Sequence, residues 1–524
     1  MKTADDLERH KSSFNLAAEA LVVFGFFFII YAVLPTRNYY WDGLIYAEFL
    51  EQAKSFGPHL FHPNHLIYNF VGYAAYRAGI FDRALFALQY VSIFFGAASA
   101  SIFYLICRRL FGWVYVSIVV TAVLAFSAAW WRYASDADVY IICICFLLLS
   151  FYFLMAKRPR PLLAALPFVV AMLFHELAIL FFPAACVALW FASASSKDRW
   201  LNILKFASMS GGLIASAYVA AFCLTHDSFD LNTFARWITD FAGSATVGPD
   251  LPTALFWMVK GTRQLFVDGS SNLVQRGFVS GIALFLFALS IAALLISLAV
   301  FRSTIRRAFP NILPKLRKTH GRLLIICAAW SLSYVSFLLL FEPGNTFYRL
   351  FYLPPIVLLL GAFANTFERQ ARTHYVTALL MFVFALYNFV FYIYPNSQLR
   401  SGTVMALASD AEKVWDNKTL VFFEPKRPTE GVIRTVVYFN PSVRWRQSDS
   451  LTIEAIRTEL PLIYPEGGSV WFERSAFEKI QSDPARFDAL MSEFEVEQNS
   501  GRSASKDNIE FIKLVPRGTH ESIK

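Results

Sequence analysis

The chain has 524 residues, of which 56% are hydrophobic, 17% aromatic and only 16% charged. That is too apolar for an ordinary soluble protein. The net charge of +9 does not signal nucleic acid, because the basic residues cluster in short segments between apolar runs, where they report membrane topology. The six cysteines all lie within or at the edge of apolar segments, so neither a disulfide framework nor a cysteine metal site is expected.

The expected fold is a polytopic α-helical membrane protein with about 11 transmembrane helices and a small C-terminal extracytoplasmic α/β domain. A span needs about 20 apolar residues. The runs of that kind are 16–34, 84–106, 112–130, 139–156, 162–175, 177–195, 203–224, 277–300, 323–341, 349–367 and 374–394. No cleavage-site pattern follows the first run closely, so it reads as a retained span rather than a removed signal peptide. His175-Glu176 interrupts the pair 162–175 and 177–195, each of them short.

The Lys/Arg segments set the orientation. Arg108-Arg109, Lys157 to Arg160, Lys197 with Arg199 and Lys205, the basic loop from Arg302 to Arg322, and Arg369 with Arg372 all fall on one side of eleven spans. That side is the cytoplasm, and it holds the N-terminus. The other side receives 35–83, 131–138, the turn at 175–176, 225–276, 342–348 and everything after 395, and acidic and His residues concentrate there. The working face is therefore extracytoplasmic.

The expected domains are 1–394, a transmembrane module with external loops 35–83 and 225–276, and 395–524, an extracytoplasmic α/β domain. In the second, helical patterns at 403–416, 451–459 and 475–492 alternate with strand-like runs at 419–424, 468–473 and 509–514. It carries no glycine-rich phosphate fingerprint. Within 225–276, the stretch 251–266 sets Phe256 and Trp257 beside Lys260 and Arg263 and reads as an interfacial amphipathic helix or, more blandly, as a connecting loop.

The first external loop carries the densest chemistry. Asp42 stands in Tyr-Tyr-Trp-Asp-Gly, where aromatic neighbours near a bilayer raise a carboxyl pKa and suit a general base. It equally suits a cap for a helix starting near Gly43. Glu51 reads as part of a solvated face with Lys54. His62 and His65 form His-Pro-Asn-His, which fits a phosphate or sugar contact, a metal pair, or a helix start with Pro63 at its first position.

The second external loop packs Arg132, Asp136, Asp138 and Tyr140 into a few residues, at the mouth of the bundle. Its bland reading is helix capping with interfacial anchoring. His175 and Glu176 are ionisable groups between apolar runs, which at such depth face a cavity or a partner. Glu342, Asn345 and Arg349 lie in the turn Phe-Glu-Pro-Gly-Asn-Thr-Phe-Tyr-Arg, whose arginine at the membrane surface matches a lipid phosphate, or serves as an interfacial anchor.

Together these pieces resemble the GT-C superfamily of integral membrane glycosyltransferases, and within it the bacterial protein O-mannosyltransferase-like group. The carriers of the resemblance are Trp-Asp-Gly-Leu-Ile-Tyr (41–46) followed by His-Pro-Asn-His (62–65), Asp-Ala-Asp-Val-Tyr (136–140), His-Glu-Leu (175–177) and Glu-Pro-Gly-Asn (342–345). The first loop lacks the adjacent Asp-Glu pair of eukaryotic protein mannosyltransferases, and the tail is neither their β-trefoil nor the large domain of oligosaccharyltransferases. The resemblance implies an inverting transferase of the inner (plasma) membrane that works on the cell envelope. It takes sugar from a polyprenyl-phosphate donor and gives it to an extracytoplasmic acceptor (glycan, lipid or protein).

On that reading Asp42 is the general base, Asp136, Asp138 and His175 orient sugar or acceptor, and Arg132, Lys260, Arg263 and Arg349 supply positive charge to the leaving phosphate. Tyr140, Glu176, Glu342 and Asn345 complete the substrate contacts. His62 and His65 touch the phosphate or, in the less favoured version, hold a divalent cation. No other cofactor is expected. The rival from another class is a transporter or flippase of a lipid-linked saccharide, which calls for polar residues along several spans and for paired broken helices; the spans read as mostly apolar. A third reading is an assembly or binding subunit without chemistry.

Overall fold

Lipid offers no hydrogen-bond partner to a backbone amide, so an apolar run that crosses it closes its bonds within a helix. The computed structural model describes residues 4–156, 158–243, 249–269, 277–308, 312–366, 371–398, 404–424, 430–497, 502–504 and 509–517. Lys157, Arg369 and residue 403 lie outside the described residues, as do parts of 225–276 and of 302–322. Among the described residues seven helices are long and apolar enough to cross a membrane: Asn15–Val33, Ala84–Phe111, Ser196–Thr225, Phe278–Val300, Ile312–Leu340, Thr346–Ala364 and His374–Ser397. They make the chain a multi-pass helical membrane protein.

The remaining predicted spans take other forms. The run 112–130 becomes two helices, Val114–Ala125 and Ala128–Ala134, bent by 71°. The bend sits where Ser127 takes an extended conformation and its hydroxyl donates back to the Leu124 carbonyl oxygen at 2.8 Å. Arg132 therefore lies on a helix and not in the expected loop. The runs 139–156 and 162–175 give Tyr140–Leu154 and Pro161–Phe174, of 15 and 14 residues. At 1.5 Å per residue these reach about 22 Å, short of a hydrocarbon core of about 30 Å. The run 177–195 gives a 3-10 turn, Glu176–Phe181, that continues into the helix Phe182–Ala192. The predicted basic loop 302–322 is largely helical, within Phe278–Ala308 and Ile312–Leu340, the latter kinked at His320.

The chain divides into two compact units: Met1–Thr36 with Phe49–Pro395, and Arg37–Glu48 with Asn396–Lys524. In the first, the helix Ala4–Val33 packs along Ala84–Phe111, and Tyr140–Leu154 along Pro161–Phe174. Close approach needs small residues. A Cβ on Gly96 would stand 2.7 Å from that of Ala134. Glu51, expected on a solvated face with Lys54, instead pairs with Arg83 at 2.9 Å and accepts from the Ala84 amide at the start of Ala84–Phe111.

The second unit holds a six-stranded mixed sheet. Its strands are β1 (Leu420–Phe423), β2 (Arg444–Gln447), β3 (Val470–Glu473), β4 (Phe494–Val496), β5 (Arg502–Ala504) and β6 (Ile509–Pro516). The order is β2-β1-β3-β6-β4, with β5 also on β6. β1 is parallel to β2 and β3, whereas β6 is antiparallel to β3, β4 and β5. Side chains alternate between the faces. Leu420, Phe422, Val470, Phe472 and Leu514 enter one core, while Val421, Trp471 and Phe511 enter the other. Both faces are covered, by the helices Ile453–Thr458, Arg474–Gln481 and Pro484–Glu493 on the first and by Val404–Glu412 and Glu430–Phe439 on the second. The runs 419–424, 468–473 and 509–514 coincide with β1, β3 and β6. Strands β2, β4 and β5 and the helix Glu430–Phe439 had no expectation.

Candidate active site

The first unit draws together predicted residues from three distant stretches and aromatic residues from a fourth. His62 caps the 3-10 turn Pro63–His65, which Pro63 starts, and the rings of His62 and His65 stack at 5.5 Å. The His65 Nδ1 lies 3.1 Å from the Phe174 carbonyl oxygen, and its ring meets His175 edge-on at 4.7 Å. His175 breaks the chain out of the helix Pro161–Phe174 in an extended conformation, and its Nδ1 accepts the Leu177 amide at 3.1 Å. Tyr140 faces His175 at 5.0 Å and stacks on Phe347 at 4.5 Å. Tyr348 and Phe351 close the group, 6.0 and 5.9 Å from His175.

These bonds fix the tautomers of two of the imidazoles. A carbonyl oxygen only accepts, so the His65 Nδ1 carries the proton and its Nε2 keeps a lone pair. A backbone amide only donates, so the His175 Nδ1 keeps its lone pair and its Nε2 carries the proton. Burial pushes His62 down to about 4 and His65 down to about 3; proximity to His62 adds to the latter, against the Phe174 bond. Burial also holds His175 well below its ordinary value, with His65 and His62 adding to it. All three are neutral at neutral pH: hydrogen-bonding groups, not cations.

This set does not fit a divalent cation. The only lone pair on the His175 ring is taken by the Leu177 amide. Among the described residues, no group of three or more His, Cys, Asp or Glu is arranged to hold a metal ion.

Arg132, Asp136 and Asp138 form a second group. Asp136 and Asp138 are fully buried, not at an open mouth as expected. Each side chain accepts a following amide: Ala137 at 2.8 Å for Asp136 and Val139 at 2.6 Å for Asp138. Asp138 thus stands at the N-terminal end of Tyr140–Leu154, where negative charge is favoured. The loop is clamped from Ala84–Phe111. Gln89 Nε2 donates to the Thr36 and Ser135 carbonyl oxygens at 2.9 and 2.7 Å, and Ser92 Oγ to that of Asp138 at 2.9 Å. Arg132 donates to the Tyr392 hydroxyl at 3.0 Å, and its charge is felt with that of Asp136. Tyr392 comes from a π-helical turn, Phe389–Ile393, and feels Asp268 as well.

Arg349, expected at a surface, is buried within the protein. Its guanidinium donates to the Trp257 carbonyl oxygen at 3.0 Å and to that of Pro343, while Nε and Nη1 have no hydrogen-bond partner. It lies against Gly261 of the helix Leu251–Phe266, the stretch expected to be helical. On that helix Lys260 sits over the Trp257 ring at 4.4 Å and Arg263 is exposed. Glu342 and Asn345 satisfy each other at 2.8 Å, and Asn345 caps Thr346–Arg349, so they act as a turn. Glu176 is half-buried beside Tyr218, whose hydroxyl donates to the Pro63 carbonyl oxygen at 3.0 Å.

Asp42 belongs to the second unit. It lies in the first turn of the helix Trp41–Gln52, so the helix starts earlier than expected and Asp42 is inside it, not at its cap. A carboxylate in a first turn is favoured by the helix dipole. Its surroundings leave it half-exposed.

Sequence reasoning missed Gln89, Ser92, Phe347, Tyr348, Phe351, Asp268 and Tyr392. The first two carried a readable signal, as polar side chains inside an apolar run face the protein interior.

The chain is similar in fold to ArnT from Cupriavidus metallidurans in the apo state. The TM-score is 0.54 at 9% identity, and the match covers 97% of this chain and 98% of ArnT. At that identity the likeness shows a shared fold. ArnT bound to undecaprenyl phosphate matches at a TM-score of 0.48 and 10% identity, over 96% of this chain and 98% of that one. The Archaeoglobus fulgidus oligosaccharyltransferase in the apo form matches at 0.41 and 13% identity, over 80% of this chain and 64% of that one. No family model and no curated protein sequence matches. The GT-C likeness is one of fold, and it does not reach the protein O-mannosyltransferase group in particular.

Proposed function

We propose that this chain is an inverting membrane glycosyltransferase that moves a sugar from a polyprenyl-phosphate donor to an extracytoplasmic acceptor. The observation that carries the reading is the gathering of His62, His65, His175 and Tyr140 from separate segments in a chain of GT-C fold. Neutral imidazoles with opposed tautomers and aromatic faces suit a sugar, whose hydroxyls need both donors and acceptors and whose ring stacks on aromatic groups. The Nε2–H of His175 donates and the Nε2 of His65 accepts.

In the reaction, Asp42 takes the proton of the acceptor hydroxyl. The oxygen attacks the anomeric carbon from the face opposite the phosphate. The carbon–oxygen bond to phosphate breaks, and polyprenyl phosphate leaves with the electron pair. A leaving phosphate is already an anion, so the step needs positive charge rather than an acid. Arg132 and Arg349 are the buried or half-buried cations suited to that, with Lys260 and Arg263 on the helix surface. Asp136 and Asp138 orient sugar or acceptor. The orientation follows the basic segments: N-terminus in the cytoplasm of an inner-membrane protein, C-terminal domain outside.

The test is transfer of radiolabelled sugar from a panel of polyprenyl-phosphate donors in membranes, with wild type and Asp42→Asn at matched expression. Loss of transfer with donor binding retained is expected. Wild-type transfer by Asp42→Asn removes Asp42 as base and turns attention to Asp136, Asp138 and Glu176. No transfer by the wild type from any donor favours a transporter or a binding subunit.

A further inference from the structure

The segment Arg37–Glu48, which carries Asp42, clusters with the C-terminal domain, from which more than 340 residues of sequence separate it. The bonds that tie it are specific. The Arg37 amide donates to the Asn396 carbonyl oxygen at 2.7 Å, and Asn38 Nδ2 to the Asn396 side-chain oxygen at 3.2 Å. Asn396 is buried and Asn38 part-buried, which limits competition from water. One residue on, the buried Tyr39 ring lies 6.2 Å from that of Phe439. Phe439 ends the helix Glu430–Phe439 and packs against the core formed by Trp415, Val421, Val436 and Trp471.

From this we propose that the C-terminal domain positions the segment bearing Asp42, with Asn396 and Phe439 as its positioning residues. The inference rests on Asp42 being the general base. Tyr39 stands three residues before Asp42 and two before the helix start, so a shift at Tyr39 reaches the carboxylate with little slack. A base works only within hydrogen-bond reach of the proton it takes, about 2.6–3.2 Å. A displacement of about 1 Å costs on the order of 10²-fold in rate. The C-terminal domain then acts on the chemical step through one main-chain bond, one side-chain bond and one ring contact, without a side chain of its own at the reacting atoms.

Hydrogen exchange of the full chain in detergent reads the positioning directly, with Asn396→Ala, Phe439→Ala and Phe439→Tyr beside wild type. Faster exchange over 37–48 in the two alanine variants is expected, with wild-type exchange in Phe439→Tyr and in β1. Where Phe439→Ala also loosens β1, Asn396→Ala alone decides. Unchanged exchange over 37–48 in Asn396→Ala with the sheet intact overturns the proposal. Transfer from polyprenyl-phosphate donors gives the second readout. The maximal rate falls by on the order of 10²-fold in the alanine variants, the half-saturating donor concentration holds, and Phe439→Tyr restores the rate. Faster exchange with an unchanged maximal rate also overturns it. Wild-type transfer by Asp42→Asn defeats the base assignment instead and leaves the exchange result standing.

Discussion

The His65 ring bonds to the carbonyl oxygen of Phe174, the residue just before His175, at 3.1 Å. One hydrogen bond therefore fixes the His-Pro-Asn-His turn to the break that carries the third imidazole. His65→Ala removes the donor and leaves a buried carbonyl facing a gap. A lost bond of this kind costs about 1–3 kcal/mol. His65→Gln keeps a donor and is expected to recover part of that. Thermal unfolding in detergent checks the order wild type, Gln, Ala. Equal midpoints for wild type and His65→Ala count against the bond.

The buried imidazoles set an acid limit. An unfolded histidine, with its ordinary value of 6.5, takes up a proton below that pH, while folded His62 and His65 resist until about 4 and about 3. Between those values the unfolded state binds more protons, so acid favours unfolding and stability rises with pH up to about 6.5. Above that these groups add no slope. Each contributes up to about 1.4 kcal/mol per pH unit inside the window. Midpoints measured from about pH 4 to 7 are expected to fall on acidification in wild type and to fall less in His62→Gln with His65→Gln. Parallel curves would sink the assignment.

Where the lipid decides, the sequence was readable. Apolar runs such as 84–106 and 203–224 become helices because a buried backbone has no other partner. The breaks were less legible. The 71° bend after Ala125 follows from the local backbone at Phe126 and Ser127, with no proline or glycine to mark it. The His-Pro-Asn-His turn was legible because Pro63 fixes its own φ. That His62 and His65 lie with His175 and Tyr140 depends on packing between segments far apart in the chain. So does the burial of Arg349, which as part of a turn looked like a surface residue. Glu51 was misread because its partner, Arg83, is 32 residues away.

The pairing of Arg132 with Tyr392 gives a test of the second group. The hydroxyl accepts from the guanidinium at 3.0 Å, and the π-helical turn Phe389–Ile393 presents it. Tyr392→Phe keeps the ring and deletes the acceptor, at a cost near 1.5–3 kcal/mol for a bond to a charged group. Transfer is expected to fall while the protein remains folded, because the cation loses its fixed direction. Arg132→Lys keeps the charge but not the planar fork, and is expected to be no better. Wild-type rates in both variants would remove Arg132 from the reaction.

Gly261 and Arg349 make the sharpest steric prediction. A Cβ on Gly261 would lie 1.6 Å from Nη1 and 1.7 Å from Cζ of Arg349. The guanidinium is fully buried and held to Trp257 and Pro343, so it has little room to retreat. Gly261→Ala must therefore move either the arginine or the helix Leu251–Phe266. Overpacking of this kind costs about 1–3 kcal/mol. Helix propensity works the other way, since alanine is better than glycine by up to about 1 kcal/mol, and the clash is expected to win. Arg349→Ala removes the clashing group, so the double variant should regain the midpoint lost on going from glycine to alanine, measured against Arg349→Ala alone. If the charge of Arg349 assists the leaving phosphate, Gly261→Ala also lowers the maximal transfer rate, and the double variant recovers stability without recovering rate. A double variant that regains both assigns Arg349 to packing alone.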